Sequence, residues 1–225
     1  MSPDIELRAV SLRLEGRQIL DEVSLHLTAR RTAIIGANGS GKSSLARLLN
    51  GLHVATTGSV RVAGLDPARD VRELRRRVGF VFADPEAQIL MPTPAEDVAL
   101  SLRGTPAAER PAAVEEALEW CGLSALRDAP ASELSGGQKQ LLALASVLAV
   151  RPALVVADEP TTRLDLRNSR RVGDALLELE VPLVLVTHDL ELARRCDEVV
   201  LIERGRVHAH GTPDDVIAEY LQVCA

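Results

Sequence analysis

The stretch GANGSGKS, Gly36 to Ser43, places three glycines ahead of a lysine and a serine. Glycine lets a loop turn successive backbone N–H groups towards one point, which is what the oxygens of a phosphate chain require. The apolar run RTAIIG precedes the stretch and the helical pattern SSLARLLNG follows it, so the loop opens a helix whose dipole adds to the attraction. Gly36, Ala37, Asn38, Gly39, Ser40, Gly41, Lys42, Ser43 and Ser44 are the candidates to hold the phosphates, Lys42 with a full charge. The Ser43 hydroxyl can sit on a magnesium ion bridging the outer phosphates. The competing account is an ordinary glycine-rich turn capping a helix, which leaves the Gly-Lys-Ser ending without a reason.

Two carboxylates end the run LVVADEP. Its four apolar residues put Asp158 at the carboxyl end of a buried strand, the edge at which open α/β sheets bind ligands. Asp158 can therefore hold the metal, and Glu159 can orient or deprotonate a water for attack on the terminal phosphate. An isolated Asp-Glu pair is more often a solvated strand end, but a phosphate loop in the same chain reverses that judgement. His188 closes the run VPLVLVT on the same edge, where a lone histidine is more often an ordinary strand-end residue. In LSGGQ, Leu134 to Gln138, Ser135 and Gln138 read as the capping box of a helix start. Gly136 and Gly137 cost up to about 1 kcal/mol each relative to alanine, and a cap alone has no use for them. A phosphate approaching the bare backbone does. Since Gly36 to Ser43 already cradle this chain's own phosphates, that second phosphate is expected on another copy.

The elements that must position these residues follow from periodicity. IELRAVSLRL and EVSLHLT alternate as two half-buried strands, whereas RTAIIG, ALVVAD and VPLVLVTHD are continuous apolar runs of the kind parallel strands show when covered on both faces. A long helical stretch, including AAVEEALEWCGL and GGQKQLLALASVLA, is inserted between VGFVF and ALVVAD. The end of the chain reads as a strand, a turn at Arg204-Gly205, a strand and a helix with Pro213 in its first turn. The division expected is a core of residues 1–83 and 151–225 around a helical lobe of residues 84–150. A chain of 225 residues, 46% hydrophobic and 26% charged with a net charge of −6, is a globular protein with no electrostatic reason to bind nucleic acid. Cys121, Cys196 and Cys224 lie far apart without a CxxC pair, so neither a disulfide framework nor a zinc site is expected. The N-terminus lacks the pattern of a signal peptide, and no apolar run is long enough to span a bilayer, so membrane work requires a partner.

In order and spacing these motifs resemble the ABC-type ATPases, the nucleotide-binding subunits of ATP-binding cassette transporters. The resemblance runs end to end through GANGSGKS, LSGGQ, VVADEP, the loop TTRLD around Asp165 and the switch VTHD with His188. It implies an α/β fold, a P-loop NTPase core of ABC ATPase type with an antiparallel N-terminal β part and an inserted helical lobe. It also implies two copies paired head to tail as a homodimer, with two ATP sandwiched between one phosphate loop and the other's signature. Residue by residue, the resemblance assigns Lys42 and the loop amides to phosphates, Ser43 and Asp158 to magnesium, Glu159 to the catalytic base, and His188 to the γ-phosphate. Ser135, Gly136, Gly137 and Gln138 go to the partner's ATP, with Asp165 in the dimer loop.

The stretch VGFVFADPEAQILMPTPAEDVALSL is similar to energy-coupling factor ATPases for vitamins and metal ions, and most like the biotin transporter's ATPase, with nickel and cobalt relatives close. That resemblance implies ATP hydrolysis at the cytoplasmic face of the membrane by a peripheral subunit. A transmembrane coupling subunit would present arginine near Asp84, Glu86, Glu96 and Asp97, and the substrate-binding membrane subunit would be reached only indirectly. Two departures stand out. Ala83 occupies the usual glutamine position, with Gln88 not a displaced replacement, and Leu14 stands where an aromatic residue usually stacks on adenine, leaving apolar contact without the stacking geometry. Three alternatives remain: a motor for another transporter type, a soluble ABC ATPase on DNA or ribosomes, and a nucleotide-gated binding module with little turnover. The second lacks coiled-coil arms and a basic groove, and Ala83 keeps the third open. His208 and His210 are expected on a solvated strand, RELRRR on an exposed helix face, and Trp120 in the core of the helical lobe.

Overall fold

The alternating N-terminal segments form β1 (Ile5–Leu14) and β2 (Arg17–Leu27), an antiparallel hairpin in which Ile5 opposes Leu27 and Leu14 opposes Arg17. Glu15 and Gly16 make its turn, both with positive φ, the geometry that matches the twist of paired strands. A computed structural model describes residues 3–223, so Cys224 lies outside the described residues. After β3 (Arg31–Ile35) come α1 (Lys42–Leu49) and β4 (Thr57–Val62), which pairs antiparallel with β1 and completes a three-stranded sheet of order β2-β1-β4. The chain continues through α2 (Val71–Arg77), β5 (Val78–Val81), α3 (Pro94–Ser101), α4 (Arg110–Cys121) and α5 (Gly136–Leu148). It then runs through β6 (Leu154–Asp158), α6 (Leu166–Leu177), β7 (Leu183–Val186), α7 (Leu190–Arg194), β8 (Glu198–Glu203), β9 (Arg206–Gly211) and α8 (Pro213–Val223).

The second sheet has the order β5-β6-β7-β3-β8-β9. β3 runs parallel to β7 and β8, and β6 runs parallel to β7, while β9 turns back antiparallel on β8. Ile34, Val155, Val184 and Val200 are all fully buried, as continuous apolar runs require of parallel strands covered on both faces. Their shared direction brings the residues after β3, β6 and β7 to one edge. The chain divides into two compact units. One comprises Met1–Phe80, Ala153–Glu159 and Leu176–Ala225; the other comprises Val81–Pro152 and Pro160–Ala175.

In the first unit, the C-terminal hairpin and helix are tied by histidine. His208 Nδ1 lies 3.2 Å from Glu203 and its Nε2 lies 3.1 Å from Glu219 on α8, while His210 Nε2 lies 3.0 Å from Glu198. Cys196 is free and buried, its thiol pushed up to about 12 chiefly by burial; Cys121, in the second unit, is likewise free and buried and is pushed up to about 11. In α2 the guanidinium of Arg75 donates to the Gly51 carbonyl and Arg77 pairs with Glu73, which leaves Leu74 as the buried residue of RELRRR.

In the second unit α3, α4 and α5 pack on one another. Thr93 caps α3: its hydroxyl accepts from the Glu96 amide at 3.3 Å and donates to the Glu96 carboxylate at 2.9 Å. The stripe Val114, Ala117, Leu118 and Cys121 buries one face of α4. Trp120 falls off that stripe and is 45% exposed, which corrects the expectation of a core residue. Asp97 is also corrected. Rather than offering a surface carboxylate, it is only 4% exposed and both its oxygens are used inside the unit. Oδ1 accepts from the amides of Leu90 (2.8 Å) and Met91 (3.2 Å), and Oδ2 accepts from the Ser146 hydroxyl at 3.0 Å. Asp97→Ala would strand two amides and a hydroxyl, and is expected to lower the unfolding free energy by about 3 kcal/mol in a urea titration, with a smaller loss for Asp97→Asn. Equal stability of all three proteins would remove the anchoring role.

Candidate active site

The loop from Gly36 to Ser43 leaves β3 and is shaped by contacts that only glycine permits. A Cβ on Gly36, whose φ is 144°, would collide with the Ile202 carbonyl oxygen. One on Gly41, at φ 106°, would lie 2.8 Å from Leu20 Cδ2 and 2.9 Å from the Ile19 carbonyl oxygen. Ser40 donates its amide to the Ala37 carbonyl, closing the loop at 3.1 Å, and the buried Ser40 hydroxyl has no hydrogen-bond partner among the described residues. The amides of Asn38 and Gly39 fall within this same turn, and Ser44 follows in the first turn of α1.

Lys42, the first residue of α1, is only 5% exposed. Its ammonium donates to the carbonyls of Gly36 at 2.7 Å and Ala37 at 2.9 Å, so the charge is folded back into the loop. Burial holds this ammonium below the usual lysine range, against the pull of Glu159 and Asp158. The Ser43 hydroxyl donates to Asp158 Oδ1 at 2.7 Å. Burial holds the Asp158 carboxyl above the usual carboxylate range; the Ser43 hydrogen bond and then the charge of Arg47 oppose it. Arg47 lies 3.8 Å from Asp158 Oδ2. Sequence reasoning passed over Arg47, although Ser43 and Arg47 are four apart on α1 and so share a face.

Glu159 follows β6 with a left-handed backbone, φ 52°, and its amide donates to the Val186 carbonyl at 2.9 Å. A non-glycine residue held there stores strain of about 1–3 kcal/mol, of the kind that gathers at functional sites. Its carboxylate lies 2.7 Å from His188 Nδ1. Glu159 is mostly buried and His188 is half-exposed. The Ser43 hydroxyl and the Asp158 carboxylate offer magnesium the hard oxygen ligands that it prefers, so the residues present fit that ion. Leu14 is partly exposed at the end of β1.

The second unit holds the remaining candidates. Ser135 caps α5: its hydroxyl accepts from the Gln138 amide at 3.3 Å, and its own amide donates to Gln138 Oε1 at 2.8 Å, both arms of the capping box. Gly137 has a local reason that the sequence concealed, because a Cβ there would collide with the Asn168 side chain. Asn168 is held in place by Asp165, whose oxygens accept from its amide at 2.9 Å and its side chain at 2.8 Å. Those hydrogen bonds, the backbone one first, hold the Asp165 carboxyl below its usual range. Gly136 has only an ordinary contact, 3.5 Å from Leu164. Around Ala83 the chain is clamped by glutamines. The Phe82 amide donates to Gln88 Oε1 at 3.1 Å, and Gln140 Nε2 donates to the Phe82 carbonyl at 3.1 Å. Asp84 accepts from Arg163 at 2.5 Å and Glu86 from Lys139 at 2.6 Å, two cations that sequence reasoning did not single out. Glu96 is exposed.

Residues 20–162 match the ABC transporter family. The chain is 40% identical over 224 residues to the biotin transport ATP-binding protein BioM of Rhizobium etli, covering 99% of this chain and 100% of that one. It is 38% identical over 215 residues to the energy-coupling factor transporter ATP-binding protein EcfA1 of Lacticaseibacillus paracasei, covering 92% of this chain and 77% of that one. Its fold matches that of cbiO1 from Clostridium perfringens, described as part of the ABC transporter complex cbiONQ, with a TM-score of 0.87 and 29% identity over 98% of this chain and 93% of the other.

The raised Asp158 carboxyl has a measurable consequence. A carboxyl whose folded-state pKa exceeds its unfolded value supports the fold below the unfolded value, and that support is lost as pH rises through the folded value. Once pH has risen through that folded-state value, the ionised Asp158 weakens the fold. Asp158→Asn is expected to raise the urea midpoint at neutral pH, and the advantage should vanish once the medium is acidic enough to protonate aspartate in both states. A lower midpoint for the variant at neutral pH would mean that Ser43 and Arg47 outweigh burial.

Proposed function

Because the chain belongs to the ABC transporter family and is the ATPase subunit of a transporter, we propose that it drives an energy-coupling factor type importer whose cargo is biotin. The observation that carries the ATPase reading is the joining of Ser43 to Asp158 beside Lys42, with Glu159 and His188 paired at the same sheet edge. The finer reading rests on the likeness to BioM over the whole length and to EcfA1.

The loop amides and Lys42 bind the phosphates of ATP, the ammonium exchanging the carbonyls of Gly36 and Ala37 for phosphate oxygens. Ser43 and Asp158 would hold magnesium, which supplies neutralisation of charge on the outer phosphates. Glu159 takes the proton of, or orients, the attacking water. His188, held by Glu159 through Nδ1, directs its other ring nitrogen to the terminal phosphate. The strained backbone at Glu159 fixes where its carboxylate begins, so orientation is set before ATP arrives.

A second copy completes the site. Ser135, Gly136, Gly137 and Gln138 present a capped helix start to the other copy's ATP, with Asp165 beside them. Asn168 accounts for Gly137 locally, so Gly136, with no crowding neighbour, is the glycine whose bareness fits an incoming phosphate. Among the described residues no helix is long and apolar enough to cross a membrane. The likeness to transporter ATP-binding proteins supports a peripheral subunit on the cytoplasmic face. A transmembrane coupling subunit docks through arginine at the acidic turn, and the substrate-binding membrane subunit is reached only through it. Asp84, Glu86 and Glu96 remain its candidates; Asp97 is buried. An incoming arginine must compete there with Arg163 and Lys139.

Glu159→Gln keeps size and loses the base, so turnover should fall roughly a hundredfold or more while ATP binding persists. On size-exclusion chromatography with ATP and magnesium this variant should elute as a dimer; a nucleotide-bound monomer would count against the sandwich. Reversal of Glu86 or Glu96 to lysine should weaken co-purification with the membrane subunits and leave ATP titration of the isolated protein unchanged. Ala83→Gln should change turnover far less than Glu159→Gln does. Undiminished assembly in both reversals and in Asp84→Lys would move the docking surface elsewhere.

A further inference from the structure

The adenine ring is the part of the substrate that the phosphate loop and its carboxylates leave unheld. Resting on the reading of Gly36 to Ser43 as the phosphate site, we propose that Arg17 is a base-recognition residue, its planar guanidinium lying against the purine beside the aliphatic surface of Leu14.

Placement comes first. β2 is in contact with the phosphate loop, since Ile19 and Leu20 supply the atoms that a side chain on Gly41 would strike. Gly205 donates to the Ser40 carbonyl at 2.9 Å and accepts from the Asp21 amide at 2.8 Å, locking strand and loop together. Arg17 precedes Ile19 by two residues, about 7 Å along a strand, which is the span of a sugar and one phosphate. Leu14 and Arg17 are directly opposed in the hairpin, so their side chains stand on one face of it.

Availability comes second. Arg13 and Gln18, the neighbouring opposed pair, are committed to each other at 2.7 Å, and Gln18 also donates to the Leu20 carbonyl at 2.6 Å. Arg17 is exposed, and its guanidinium has no hydrogen-bond or ion-pair partner among the described residues. Leucine offers the base area but no π face, whereas a guanidinium is flat, weakly hydrated and attracted to aromatic faces. The pair therefore supplies what neither residue supplies alone. Such stacking is tolerant of which purine is present, so GTP should compete with ATP.

The test compares ATP, GTP and inorganic tripolyphosphate by calorimetric titration of the full chain with magnesium. Arg17→Ala should weaken ATP and GTP by roughly five- to thirtyfold and leave tripolyphosphate unchanged. Arg17→Lys, which keeps the charge and loses the plane, should recover little of that loss. Equal weakening of all three ligands, full recovery in the lysine variant, or unchanged ATP affinity in Arg17→Ala would each overturn the proposal. Failure of the unaltered protein to bind tripolyphosphate at all would instead defeat the phosphate-loop reading on which it rests. Unchanged thermal midpoints of both variants establish that the hairpin is intact.

Discussion

Opposite charges held out of water at one sheet edge are the constraint on which the rest of the molecule depends. Lys42 and Asp158 are both buried, and burial works against the charged form of each. Neither would persist in an apolar core alone. Ser43 and Arg47 offset part of that cost for Asp158, and the loop carbonyls, with Glu159 and Asp158, offset part of it for Lys42, which requires that β3, β6 and β7 run parallel and end together. The site is thus pre-charged and under-satisfied, a state that a polyanion with a divalent cation would relieve. Stability and affinity are opposed here: groups poised for ligand are groups that weaken the empty fold.

The second unit is organised by different means. Its acidic residues are consumed in joining loops to helices: Asp97 to the Leu90 and Met91 amides, Asp84 to Arg163, Glu86 to Lys139, Asp165 to Asn168. Most of these are partly exposed pairs, worth little singly. Asp97 differs because it is buried and accepts three hydrogen bonds, so it fixes where α3 begins relative to the loop before it.

What could be read in the sequence was what repeats locally. The apolar runs of β3, β6 and β7 announced parallel strands, and the capping box at Ser135 and Gln138 depended on residues three apart. Gly36 to Ser43 was legible because a loop and the helix behind it are contiguous. Contacts between distant segments were not. Nothing near Gly137 reveals that Asn168 will press on it, nor do the residues around Asp97 show that Ser146 will meet it. The apolarity of Trp120 does not bury it, because its place on α4 lies off the stripe formed by Val114, Ala117, Leu118 and Cys121.

The clamp on Phe82 sets a rule about length. A chain leaving a sheet loses its neighbouring strand, and here two glutamine side chains act as a detached fragment of one, Gln88 taking the amide and Gln140 capping the carbonyl. The hydrogen bond from Phe82 to Gln88 closes a ring through the residues between them. Ala83 and Ala87 contribute almost no side chain to that ring, so their identity is loosely constrained, but their number is not: one residue more or fewer would carry the Gln88 amide away from its acceptor role. The turn is therefore tolerant of what stands at Ala83 and Ala87 while Asp84 and Glu86 keep their partners and its contour stays fixed, and a change of length here breaks the clamp.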